Sequence, residues 1–101
     1  MPLSSATRRI AMNERLWEIY EQLCLIEYRP LQEFVRRLKA GEFGEFRKEE
    51  VVDFLRWVEG NMLQNIQVKA MESPAYAEMA EHVSEETQRM FEELIAEYER
   101  G

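Results

Sequence analysis

Met12, Leu16, Ile19, Leu23 and Ile26 recur at alternating spacings of four and three residues. Only an α-helix brings positions so spaced onto a single stripe. The pattern returns in Val51, Leu55, Val58, Met62 and Ile66, and again in Tyr76, Ala80, Val83, Thr87, Phe91, Leu94 and Tyr98. A chain that spends most of its length this way has little left for strands, and 4 Gly and 3 Pro supply too little turn chemistry for a sandwich or barrel. The expected fold is all-α: a bundle of four helical segments, three long and one short. With 101 residues it makes one domain over positions 1–101, with a short lead at 1–5 and one core.

Segment one is expected from about Ala6 to Glu27, with Ser4 or Ser5 as its cap. Trp17, Tyr20 and Cys24 form a second stripe beside the first, so the apolar face spans about half the circumference. Segment two opens at Pro30, whose fixed φ suits a first turn, and closes before Gly41, a natural left-handed cap. Leu31, Phe34, Val35 and Leu38 are its inner stripe; its outer side carries Arg29, Arg36, Arg37 and Lys39, opposed only by Glu33. Gly41–Phe46 reads as a connector in which Gly41 and Gly44 take unusual backbone angles while Phe43 and Phe46 peg into the core.

Segment three, from about Arg47 to Glu72, has Glu49 and Glu50 in its first turn, where negative charge is favourable. Phe54 and Trp57 stand to one side of its main stripe. Segment four starts at Ser73-Pro74, a cap followed by a first-turn proline, and runs almost to Gly101. Met79, Met90 and Ile95 fall at the margins of its inner face. Glu78, Glu81, Glu85, Glu92 and Glu99 lie on the opposite side, a stripe suited to steering a basic partner.

The formal net charge of −7 argues against nucleic acid as a general partner, because that binding relies on clustered Lys and Arg at phosphates. A basic or neutral protein fits better. Met1–Ile10 has no apolar stretch resembling a signal peptide, and no apolar run reaches the roughly 18 residues of a membrane span. The expected location is cytoplasmic, with no membrane partner.

Little here points to catalysis. The one histidine, His82, has Glu78 and Glu86 a turn away on either side, but all three map to the polar face. The Glu-x-x-His pattern of helical metal sites would need an acid at residue 79, which is Met. No metal or cofactor is expected. Cys24, the only cysteine, reads as a small core residue rather than a nucleophile. The alternative is an anion or small-molecule binder, conceivably an enzyme, that uses Arg29, Arg36 and Arg37 as guanidinium forks.

From Gly60 to Val68 nine residues pass without a charge, although 33% of the chain is charged. Met62, Leu63, Ile66 and Val68 alternate there with Asn61, Gln64, Asn65 and Gln67, carboxamides that tolerate burial better than charges do. One reading is a central core helix whose amides are satisfied inside the chain. The other is a contact with a second copy, favoured because four short helices have too few inner positions to cover Trp17, Leu25, Phe54, Trp57 and this window together. Gly60, about 1 kcal/mol worse than Ala in a helix, suggests a close backbone approach. The expected protein is thus a homodimeric, non-catalytic interaction module of adaptor, chaperone or regulatory type, its contact built on Phe54, Trp57, Gly60, Asn61, Gln64, Asn65 and Val68.

Overall fold

The computed structural model describes residues 13–100. They form four helices and, among the described residues, no strand: α1 (Glu14–Ile26), α2 (Pro30–Lys39), α3 (Lys48–Glu72) and α4 (Pro74–Arg100). The expected helical run over residues 6–12, the Ser4 or Ser5 cap and the stripe position Met12 lie outside the described residues.

Each helix begins and ends where local chemistry provides for its unpaired backbone groups. Asn13 has extended backbone and its side chain accepts a hydrogen bond from the Arg15 amide at 2.9 Å, so α1 opens at Glu14. Pro30 occupies the first turn of α2. At its other end Gly41, with φ +77°, donates to Leu38 O while Glu42 donates to Arg37 O, both at 3.1 Å, which satisfies two terminal carbonyls. Gly44 has φ +93°. The Glu50 carboxylate accepts from the Arg47 amide at 3.1 Å ahead of α3, and Ser73 Oγ accepts from the Tyr76 amide at 3.3 Å in the first turn of α4.

The helices pair as two hairpins, a short one (α1–α2) laid on a long one (α3–α4). Only Ser73 separates α3 from α4, so they fold back on each other, and Lys48 Nζ donates to Glu99 O at 3.2 Å where their far ends meet. α1 runs alongside α3 in the same direction. Asn13 donates to Glu50 at 3.2 Å, Trp17 packs on Phe54 and Trp57, and Tyr20 and Tyr28 line one concavity with Met62. α2 likewise follows α4: Leu31 stands near Met90, Val35 near Leu94, and Lys39 pairs with Glu97 at 2.8 Å.

The core fills the space between the hairpins. Leu16, Phe34, Val51, Phe54, Leu55 and Phe91 are fully buried, each large side chain so placed stabilising the fold by about 1.5–3 kcal/mol. Around Phe54 stand Trp17, Tyr20, Phe34 and Trp57, with ring centroids 5.4–6.3 Å from its own, mostly edge-on or tilted. Burial pushes the Tyr20 phenol well above its ordinary pKa, helped by the neighbouring Cys24 thiol. Phe43 and Phe46 pack partly buried against this core.

Three expectations for inner positions are overturned. Ile26 is 68% exposed and Cys24 is also exposed, whereas Ile95 is buried rather than marginal. Cys24 shares the side of α1 that carries Trp17 but lies two turns further on, past the reach of Trp57; Ile26 sits in the last turn of α1. The short hairpin stops there, near Met62 and Met90. At about 1.5 Å per residue α3 is roughly 37 Å long and α4 roughly 40 Å, so α1 and α2 cover only the half of the long hairpin nearest Lys48 and Arg100.

Candidate interaction surface

Positions 54, 57, 61, 65 and 68 advance by three and four residues and follow one flank of α3. In the covered half this flank buries Phe54 completely and Trp57 partly beneath α1. Beyond the α1–α2 turn it emerges: Asn61, Asn65 and Val68 are exposed, as is Gln64 beside them. The residues expected to form a contact therefore divide. Phe54 has no surface to offer and acts from the core, while Asn61, Gln64, Asn65 and Val68 are free to meet a partner.

Two parts of the sequence reading change here. The carboxamides are not satisfied inside a core, since Asn61, Gln64, Asn65 and Gln67 are all exposed; among the described residues only Asn61 has a side-chain bond, donating one turn back to Trp57 O within α3 at 2.8 Å. Nor does Gly60 mark a close backbone approach within the chain. A Cβ built there meets nothing within 4 Å among the described residues.

α4 supplies the other lip of the bare face. Met79, Val83, Glu86 and Met90 share one flank at helical spacing, and Met90 lines the same concavity as Tyr28 and Met62. Between the helices runs a groove of about 290 Å³ lined by Met62, Asn65, Ile66, Tyr76, Val83 and Thr87, with Lys69 at its edge. Lys69 Nζ lies 5.9 Å from the centre of the Tyr76 ring and, among the described residues, has no carboxylate partner. The most exposed large apolar side chains rim this half: Leu25, Ile26 and Tyr28 at the α1–α2 turn, Val68 and Met71 near the tip, and Met79 on α4, between 44% and 96% exposed. Of these, Tyr28 lines the same concavity as Met62 and Met90.

The acidic stripe lies elsewhere. Glu78, Glu81, Glu85, Glu92 and Glu99 are all exposed on the side of α4 away from this flank. His82 is a surface residue whose Nε2 stands 3.9 Å from Glu86 Oε2. Among the described residues no three His, Cys, Asp or Glu side chains are placed to hold a metal ion.

The basic residues of α2 do not converge. Arg36 and Arg37 share the Glu33 carboxylate at 2.8 and 3.0 Å, and Arg37 also reaches Glu27 at 3.0 Å. Glu33 is held below the usual carboxylate range by the hydrogen bonds from Arg36 and Arg37, and Glu97 is lowered likewise by Lys39 and Arg100. Glu33 is thus not the only acid opposing this side, for Glu27 and Glu97 join it. Arg29 lines the concavity with Tyr28 and Met62, Arg36 lines a separate one with Lys39 and Leu94, and Arg37 lines neither.

What the sequence missed is the end of α1 at the mid-point of α3. Asn13 was a legible cap signal followed by an acidic first-turn residue, but nothing local states how far one hairpin slides along the other. No helix among the described residues is long and apolar enough to cross a membrane. No family model, curated protein or solved structure matches the chain.

Proposed function

We propose that this protein is a non-catalytic interaction module, a helical bundle that works as a homodimer and presents the acidic side of α4 to a basic partner. The observation that carries the reading is the uncovered half of the α3–α4 hairpin, where apolar side chains and uncharged amides stand open on a chain of net charge −7. Such a face favours protein contact, because apolar surface gains about 25 cal/mol per Å² on leaving water and carboxamides can be hydrogen-bonded when covered. A small-molecule site gathers polar groups in one concavity; here the groove is mostly apolar, and the arginines are spread, with Arg36 and Arg37 paired to carboxylates. The carboxylates on the other side of α4 leave that surface free to accelerate encounter with a positively charged protein.

Multi-angle light scattering at micromolar concentration tests the first half of this reading. The expected mass is that of two chains, and a single-chain mass across the range rejects the dimer.

A further inference from the structure

We infer that the α3–α4 hairpin is one long helix broken at a single residue, and that Pro74 is the lock holding it shut against exchange of α4 between two chains. The inference concerns the turn at the tip and stands apart from the homodimeric reading above.

From Lys48 to Arg100 every residue is helical except Ser73, whose φ of −139° and ψ of 113° are extended. That one residue reverses the chain. Its own backbone groups already bond as a helix would have them: the amide donates to Lys69 O at 3.0 Å, and the carbonyl accepts from the Ala77 amide at 2.9 Å. The sequence on either side suits a helix, with Lys69, Ala70, Met71 and Glu72 before the turn and Ala75, Ala77, Glu78 and Met79 after it. No glycine stands there. The α2–α3 connector, by contrast, turns through Gly41 and Gly44, both at positive φ.

Pro74 enforces the break. A residue before proline is pushed out of the helical region into extended backbone, which is where Ser73 lies. In a continuous helix the Pro74 ring would also collide with Ala70 O and leave that carbonyl without an amide. Ser73 assists, since its Oγ accepts from the Tyr76 amide at 3.3 Å, a donor that a continuous helix would send to Glu72 O. The packing offers little resistance to straightening. No side chain between Gln67 and Met79 is buried; the nearest buried ones, Ile66 and Ala80, stand seven residues to either side of Ser73, and α1 and α2 end well short of the tip. Were the turn to straighten, α4 would leave its own α3 and settle on that of a second chain, which would return its own α4 in exchange. Each α3–α4 contact of the core is then remade between chains, so the closed and exchanged forms differ chiefly at the hinge. Proline burdens only the exchanged form, and does so twice per dimer. The lock thereby selects pairing within one chain.

Pulsed electron resonance on the full chain tests this, with spin labels at Asp53→Cys and Glu93→Cys and with Cys24→Ser to leave only those two thiols. Both labelled positions are exposed toward the Lys48 and Arg100 end, so they lie close together across the closed hairpin and roughly 60 Å apart along a straight helix. Labelled chains are unfolded and refolded with a large excess of unlabelled ones, so that only distances within a chain are read. The wild-type turn should give the short distance. Pro74 is exposed, so Pro74→Ala should keep its helical content by circular dichroism. It should favour exchange by more than about a hundredfold and give the long distance at micromolar concentration. Inserting Gly-Gly-Ser after Ser73 in the Pro74→Ala chain should restore the short distance, because a flexible turn closes the hairpin without proline. A long distance in wild type, a short one persisting in Pro74→Ala, a loss of helix in that variant, or an insertion that fails to close the hairpin each overturns the lock. The distance within a chain is the same whether or not closed chains also pair through a surface, so the homodimeric reading stands or falls separately.

Discussion

The two halves of the α3–α4 hairpin share a helical period and differ in nearly everything that period does not determine. In the half under α1 and α2, Val51, Phe54, Leu55 and Phe91 are fully buried. In the other, only Ile66 and Ala80 fall as low as 7% exposure, and each is covered mainly by the facing helix of the hairpin. Periodicity says that a residue points inward; what lies across from it decides whether inward is dry. The carboxamide-rich composition of the bare half marks a surface that tolerates both water and cover, whereas the aromatic composition of the covered half tolerates only cover.

The largest test of that contrast is truncation of one large side chain in each half. Phe54→Ala removes a ring that touches four other aromatics and should cost about 3–5 kcal/mol, whereas Ile66→Ala should fall near 2 kcal/mol because its site is able to relax toward solvent. Denaturant midpoints at constant slope measure both, in dilute solution where self-association is least. Equal losses would mean that the tip is as tightly enclosed as the core, and the comparison would break.

The same contrast explains how far the sequence could be read. α2 was legible in full because Pro30 and Gly41 bracket it and Leu31, Phe34, Val35 and Leu38 leave one phase; all four are buried. The all-helical character and the phases of α3 and α4 were legible for the same reason. The misplacement of Cys24 and Ile26 has a different origin. Both belong to the apolar side of α1, but they lie in its last turns at the edge of the short hairpin, where they are exposed. Of the candidate surface, the absence of charge from Gly60 to Val68 was visible, yet the side left bare was not, since it depends on the offset between hairpins set by Trp17, Phe54 and Trp57 packing together. Gly60 misled because a helical glycine has two uses, close approach and none, and sequence alone does not separate them.

A smaller effect lies in the ion pairs, which also favour the covered half. Glu33 bonds to Arg36 and Arg37 within α2, and Glu97 bonds to Lys39 across the two hairpins. Both carboxyls are held below their ordinary value in the fold. Their contribution to stability is therefore fully present above the unfolded glutamate pKa of about 4.3 and is lost as pH falls through the lower folded values. Stability should decline on acidification below about pH 4.3, and Glu97→Gln should flatten that decline. Because Glu97 is exposed and Glu33 only half-buried the change is modest, and 1 M salt should shrink it further. A Glu97→Gln acid limb superimposable on wild type would show that the Lys39–Glu97 pair adds nothing to the tie between hairpins.

The smallest effect on stability belongs to the acidic side of α4, and it sharpens the comparison by extending it to a third surface. Glu81, Glu85 and Glu92 lie within one stretch that passes from the bare half into the covered half, all exposed, and helical spacing sets them close enough to repel. Replacing the three by Gln should leave the denaturation midpoint within about 0.5 kcal/mol of wild type, or raise it slightly by relieving repulsion. The consequence belongs instead in the rate at which a basic partner arrives. Steering acts over the screening length, about 10 Å at 0.1 M salt and about 3 Å at 1 M, so the wild-type association rate should fall steeply with salt and that of the triple variant should not. Stopped-flow association with a basic partner at two salt concentrations separates the outcomes. Equal salt slopes would reduce the stripe to a hydrated surface, and a triple variant that unfolds would make it part of the fold. Where the fold persists, the proposed self-association through the bare face should be untouched, because these carboxylates project from the other side of the helix.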